Sequence, residues 1–228
     1  RNVNFQNDRI FGFQVRTTWD MFKLLGRDSP EGVRWDLNAD YLSKRGPQIG
    51  TTGSYRGKER FGLDGPYQGT GYVSFIYDTG LDNLGNDRLN LIPAQDARGG
   101  LLVRDRQTFL NGLTWNGEAA FLSDRNWLEE YREVEFDNGK DYETLGYLKQ
   151  QQGNWAWSAM LRPRLYNYYN ETAWLPRGDV FVLGQPLFGS SLTWSTHSYV
   201  GLANQAIAKT PTDPSDKWSV LPYESNAA

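Results

Sequence analysis

The chain has no cysteine, a single histidine and two methionines, and it nowhere runs apolar for long. Without cysteine there is no disulfide framework, no thiolate chemistry and no Cys-ligated zinc site. No stretch approaches the ~20 apolar residues that a helix needs to cross a bilayer, so helical spans are excluded. A mean hydropathy of -0.65 points the same way. An excess of one charge is also missing: 24 Lys and Arg face 27 Asp and Glu, and no basic run stands out. That balance speaks against a nucleic-acid partner. None of these absences excludes a β-barrel, in which only alternate residues meet lipid.

What the chain does have is aromatic side chains, 14% of the total with 9 Trp and 13 Tyr. Trp and Tyr sit well at bilayer interfaces. It also has long, strict alternation. Val33, Trp35, Leu37, Ala39 and Tyr41 fall on one side of a strand, with Arg34, Asp36, Asn38 and Asp40 on the other. The pattern returns at Phe11, Phe13, Val15, Thr17, Trp19 and Met21, and at Leu113, Trp115, Gly117, Ala119 and Phe121 opposite Thr114, Asn116 and Glu118. Successive strand side chains point to opposite faces, so each segment has a greasy side and a wet side. Soluble sandwiches alternate too, but their strands run about 5–6 residues. Segments of roughly 9–11 residues with charges all along one face fit tilted strands around a polar lumen.

About ten strands are expected, near 10–22, 33–42, 47–57, 68–78, 98–109, 112–123, 143–152, 154–166, 170–183 and 190–203. Ser43-Lys44-Arg45-Gly46-Pro47, Leu110-Asn111-Gly112 and Gln152-Gly153-Asn154 read as short hairpin turns. Segments 79–97 and 124–142 read as long charged loops, and short turns alternating with long loops are a barrel feature. In the second loop, Asn126 followed by Glu129 suggests a capping box, with Trp127, Leu128 and Tyr131 on one face of a short helix. The segment from Lys209 is Pro- and Asp-rich and reads as a loop or tail over 209–228. The start lacks a basic then apolar leader, and the end is not an aromatic-terminated strand, so an interior fragment of one barrel domain spanning 1–228 is expected, with no second domain.

Signals for catalysis are weak. His197 could serve a Ser-His-acid triad, but no G-x-S-x-G elbow presents a nucleophile. The register puts Trp194, Thr196, Ser198 and Val200 on one face and His197 on the polar one, as a structural lumen histidine. Asp82-Asn83 with Asn86-Asp87 lacks the spacing and terminal Glu of a calcium loop, and Gly69-Thr70-Gly71 lacks the third glycine of a dinucleotide fingerprint. Arg34, Asp36, Asn38, Asp40, Arg104, Asp105 and Arg106 form the most informative group. They either cross-link the wall of a wide barrel or touch an anionic, amphipathic cargo, since arginine forks bind phosphate well. Pro163 and Pro176 each break a strand pattern, as a bulge near a rim or as a weakened seam.

Phe121-Leu122-Ser123-Asp124-Arg125-Asn126-Trp127-Leu128 resembles a segment of the barrel domain of the LptD family, the outer-membrane lipopolysaccharide-assembly or organic solvent tolerance proteins. Glu143-Thr144-Leu145, Gly153-Asn154-Trp155, Ala173-Trp174-Leu175-Pro176 and the upstream Tyr41-Leu42-Ser43-Lys44-Arg45-Gly46 are similar to further motifs of that barrel, and together they cover about residues 35–205. The resemblance implies part of a large barrel in the bacterial outer membrane, which receives lipopolysaccharide from a periplasmic bridge and works with a plug lipoprotein. It carries over no catalytic or gate residue and no cofactor.

The expectation is therefore all-β, an antiparallel meander of long strands forming part of a large transmembrane β-barrel, a transporter and not an enzyme. Arg34, Asp36, Asn38, Asp40, Arg104, Arg106, Asn116 and Glu118 would line the lumen. Trp35, Leu37, Trp115, Phe121, Trp155, Trp157 and Trp194 would meet outer-membrane lipids. Two alternatives stay open: a passive porin-like channel, and a soluble Trp-rich glycan-binding β-sandwich with shorter strands and a buried second sheet.

Overall fold

A computed structural model describes residues 1–206 apart from 86–87, 140–141, 167 and 169. The expected tail over 209–228 and the Asn86-Asp87 half of the calcium candidate lie outside the described residues. In chain order the elements are β1 (Asn2–Asp8), β2 (Gly12–Asp20), α1 (Met21–Leu24), β3 (Val33–Leu42), β4 (Gly46–Arg60) and β5 (Leu63–Tyr77). The short β6 (Asp82–Asn83) and β7 (Leu89–Leu91) follow, then β8 (Ala97–Thr108), β9 (Leu113–Leu122), α2 (Trp127–Tyr131) and α3 (Glu133–Asp137). The chain continues through β10 (Leu145–Gln152), β11 (Trp155–Arg162), β12 (Glu171–Leu187) and β13 (Leu192–Ala206).

Eleven of these strands form one antiparallel sheet in the order β1-β2-β3-β4-β5-β8-β9-β10-β11-β12-β13, a pure meander. The pair β6-β7 stands apart as a small ribbon in the loop between β5 and β8. The ten expected strands are all present, with ends displaced by a few residues. Three strands were not foreseen, β1 and the β6-β7 pair, and neither were the short helices α1 and α3. β1 has no strict alternation to announce it, and β6-β7 lies in a segment whose charges and turn formers read as loop.

Register decides which side chains share a face. One row across the sheet is Arg34, Ser54, Thr70, Arg104 and Glu118, and the next is Arg56, Gln68, Arg106 and Asn116. Asp36, Thr52, Tyr72, Leu102 and Ala120 form a third row on the same side. The opposite side carries Trp35, Gly53, Gly71, Val103 and Ala119 in register, and continues through Trp115, Leu148, Ala159, Trp157 and Val180.

The two faces meet different surroundings. The polar face carries the loops. The segment with α2 and α3 folds back onto it, and Trp127, Leu128, Leu42, Tyr72, Ile76, Leu102, Ala120 and Leu122 form the core there. Trp127 lies directly over Gly100, where a Cβ would collide with the indole. Arg132, just past α2, stacks its guanidinium 3.6 Å from the Tyr72 ring. The other face is bare and apolar: Phe5, Phe13, Trp35, Tyr41, Ile49, Val73, Phe75, Phe121, Leu161, Val180 and Trp194 all stand exposed on it. Among the described residues no second large sheet packs against this face, which removes the buried partner sheet that a sandwich requires.

Most connections at one end are short, although 21–32 with α1 also lies there. Strands β4 and β5 join through Phe61-Gly62, β10 and β11 through Gly153-Asn154, and β8 and β9 through a tight turn ending in Gly112 at φ 75°. The loops 78–96 and 123–144 both sit at the opposite end. The turn Ser43-Lys44-Arg45 is short but belongs to that long-loop end.

Candidate functional site

Every residue expected on the polar side is there. Arg34, Asp36, Asn38, Asp40, Arg104, Arg106, Asn116 and Glu118 share the loop-bearing face, and Trp35, Leu37, Trp115, Phe121, Trp155, Trp157 and Trp194 share the bare one. Asp105, grouped with Arg104 and Arg106 by proximity in sequence, is the exception. It points to the bare face, where it accepts hydrogen bonds from Tyr55 Oη (2.6 Å), Arg60 (2.8 Å) and Trp115 Nε1 (3.1 Å). One-residue spacing on a strand inverts the face.

Toward the short-turn end the polar face opens into a trough of about 930 Å³ lined by Arg34, Arg56, Arg104 and Arg106. Two of these arginines are cross-links of the wall: Arg34 bonds Asp36 at 2.6 Å and Arg104 bonds Glu118 at 2.9 Å. Arg56 and Arg106 flank Gln68 in one register row and have no carboxylate partner among the described residues. Arg34 and Arg104 are neutralised by carboxylates of their own face, while Arg56 and Arg106, on either side of Gln68, are not. Arginine's planar fork suits phosphate or carboxylate.

At the long-loop end sits a cluster that the sequence did not reveal. Arg98 is fully buried, Arg45 is 1% exposed, and both are surrounded by carboxylates. Arg98 bonds Asp82 (2.6 Å), Asp78 (2.8 Å) and Asp124 (2.9 Å); Arg45 bonds Asp78 (3.1 Å) and Glu130. Tyr131 donates to Asp78 (2.6 Å) and Asn126 to Asp82 (2.8 Å). Two cations therefore face four carboxylates in a buried site. Burial pushes Glu130 up to about 7, against the pull of Arg45 and the Asn83 amide. Burial works the same way on Asp78, but the Tyr131 hydroxyl, the Gly80 amide and the two arginines outweigh it and hold its carboxyl below the usual range. Burial and the neighbouring Asp78 charge raise the Tyr131 hydroxyl. The arrangement ties the β3-β4 turn, the β5-β8 loop, β8 and α2 together over the polar face.

These contacts also explain why the expected capping box is not formed. The α2 helix starts after Asn126, but the Asn126 side chain goes to Asp82. Glu129 is taken by the Gly85 amide (2.9 Å) and by Arg88 (2.6 Å). Among the described residues no cluster of His, Asp and Glu has the arrangement of a metal site, and Asp82 is committed to arginine.

On the far side of the sheet His197 takes its place on the polar face, with Nε2 2.7 Å from Asp179, whose other partner is Arg177 at 2.8 Å. The His197 ring stacks on Phe181 at 4.3 Å. No hydroxyl nucleophile is hydrogen-bonded to this histidine among the described residues, so half of a triad is present and the reacting half is not. Pro176 sits where the β12-β13 register slips between Trp174 and Arg177, and Pro163 lies just past the end of β11, both as the bulge-and-rim reading expects. Neither a family model nor a characterised protein matches this chain.

Proposed function

We propose that the chain is part of an outer-membrane β-barrel that moves lipopolysaccharide, with its bare apolar face toward lipid and its loop-bearing polar face toward the lumen. The observation that carries the membrane half is the separation of faces over eleven strands: the apolar one is uncovered, while the other is lined by charges and covered by loops at one end. A surface of that extent does not stay in water. On β5, Tyr67 and Tyr77 lie on the bare face ten residues apart. At about 3.4 Å per residue and ~40° tilt that is roughly 25 Å along the membrane normal, the height of a barrel's apolar band between aromatic girdles.

The cargo half rests on Arg56 and Arg106 and on the resemblance to the LptD barrel. Two unneutralised guanidinium groups in a polar trough suit the phosphates of lipopolysaccharide better than neutral solutes. In this reading the periplasmic bridge would deliver the cargo from the short-turn end, and a plug lipoprotein would share the lumen.

Two measurements test the proposal in order. The parent protein should fractionate with outer membranes and migrate faster unheated than boiled; a soluble protein without that shift would remove the barrel. A photo-crosslinking residue at Gln68, between the two arginines, should then capture lipopolysaccharide, and Arg56→Ala with Arg106→Ala should cut the capture about tenfold. Small-solute permeation without capture would replace the transporter by a passive channel.

A further inference from the structure

The bare face contains a groove that a uniform lipid-facing surface does not need. Its floor is the backbone at Gly53 and Gly71, its walls are Phe22, Trp35, Val73 and Val103, and its volume is about 350 Å³. Phe22 meets Trp35 edge-on at 6.0 Å, and the Trp35 indole N–H is spent on Thr51 at 2.7 Å, so the wall presents only carbon. Glycine in mid-strand weakens a sheet and marks close approach by something else. Several glycines of this face have that reason inside the chain: Tyr55 lies over Gly69, Tyr67 over Gly57, and Trp115 over Gly117 and Gly146. Gly53 has none. A Cβ there would meet nothing nearer than the Arg34 carbonyl at 3.6 Å.

The groove is apolar along its length and polar at one end only. Tyr55 closes its lower end, with its hydroxyl on Asp105. Arg60 stands beside it, its guanidinium 5.3–5.7 Å from the rings of Phe61, Tyr55 and Tyr67. Asp105 has three donors from Tyr55, Arg60 and Trp115, so its charge is compensated within the cluster. Arg60 shares its hydrogen bonds between Asp105 and the Tyr55 hydroxyl, and its side chain stays about one-third exposed (32%). An unfilled apolar slot with a partly exposed guanidinium beside its end complements an acyl chain joined to a phosphate.

We propose that this groove holds one acyl chain of a glycerophospholipid of the surrounding bilayer, with its phosphate against Arg60. The proposal rests on the lipid-facing reading above and adds a fixed site to it. The full protein, purified and placed in vesicles of phosphatidylethanolamine and phosphatidylglycerol, is tested with a trace of phosphatidylcholine that carries a diazirine on its acyl chain. Crosslinks should concentrate on the peptides bearing Trp35, Gly53 and Val73. Gly53→Leu, which fills the floor, should reduce them at least fivefold and leave labelling at Trp157 and Val180 unchanged. Arg60→Gln should reduce them two- to fivefold. Even labelling of the whole bare face, insensitive to Gly53→Leu, would overturn the site and leave the membrane reading standing. Absence of label from the entire face would overturn the membrane reading itself. If Gly53→Leu loses the heat-dependent gel shift, Val103→Phe narrows the same groove from another strand and decides the matter by the same readout.

Discussion

Arg98 and Arg34 lie on the same sheet face and both contact carboxylates, yet their surroundings separate their energetic weight. Arg98 is fully buried among Asp78, Asp82 and Asp124. Arg98→Met takes away the cation that Asp78, Asp82 and Asp124 share, and removing one partner of a buried ionic cluster costs about 3–5 kcal/mol. Arg34 is mostly in solvent beside Asp36, so Arg34→Ala should cost under ~1 kcal/mol. Urea unfolding of the protein in vesicles compares the two; equal losses would mean that the long-loop cluster is not the tie it looks to be. Glu130 gives a pH signature. Its folded value is raised to about 7, so its contribution to stability is complete below the ordinary carboxylate value and is lost as the pH rises through 7. Asp78 acts in the opposite sense, losing its contribution only in acid. Hydrogen-exchange protection of α2 should therefore fall between pH 5 and pH 8, and Glu130→Gln should flatten that fall; an unchanged profile in the variant would assign the effect elsewhere. None of this was legible in the sequence. Arg45 and Glu130 are separated by 85 positions. Charges in a loop read as solvated until the loop is seen to fold back on the sheet.

Strands and turns were far more legible, because a period of two and the chemistry of glycine act locally. The β3 strand falls where alternation put it, from Val33 to Leu42. Gly153 opens its two-residue turn at φ 54°, as a turn needing a positive first φ requires. The pair Asn111-Gly112 does make a hairpin, but only Gly112 is left-handed, so a three-residue loop replaces the two-residue turn that such a pair most often forms. The capping-box motif found its helix and lost its caps, since tertiary partners offered Asn126 and Glu129 buried contacts instead. The β4-β5 turn shows the reverse case, a sequence that does not suit its conformation. Phe61 sits at φ 55° followed by Gly62 at φ 72°, and its ring is 90% exposed. A bulky residue is strained there, whereas asparagine visits that region readily. Phe61→Asn should stabilise the hairpin by about 0.5–1 kcal/mol by relieving that strain. Its unfolding midpoint should rise; a fall would show that the exposed ring makes a contact worth more than the strain.

At the scale of the whole molecule, one pattern orders everything else: one face of the sheet carries the charges and the loops, which pack on an apolar patch of it, and the other face is apolar and bare. The sequence conveyed this because each strand states its own two faces, and register joins like faces at the fifteen expected positions, with Asp105 of the charged group falling on the other side. It could not convey how the polar face is closed, which depends on contacts between loops far apart in the chain. Trp19, Trp35, Trp115, Trp155, Trp157 and Trp194, six of the nine tryptophans, lie on the bare face, whereas Trp127 is buried under α2 on the other. Bromine on acyl chains quenches only the indoles that lipid touches. In vesicles of brominated phosphatidylcholine the intrinsic fluorescence should drop by more than half, and Trp127→Phe should make the remaining signal still more quenchable. The six indoles span the sheet from β2 to β13, so partial burial of one edge could not mimic the result. A protein that kept its full emission would have its bare face against protein rather than lipid, and the eleven strands would then need a partner surface as broad as the sheet.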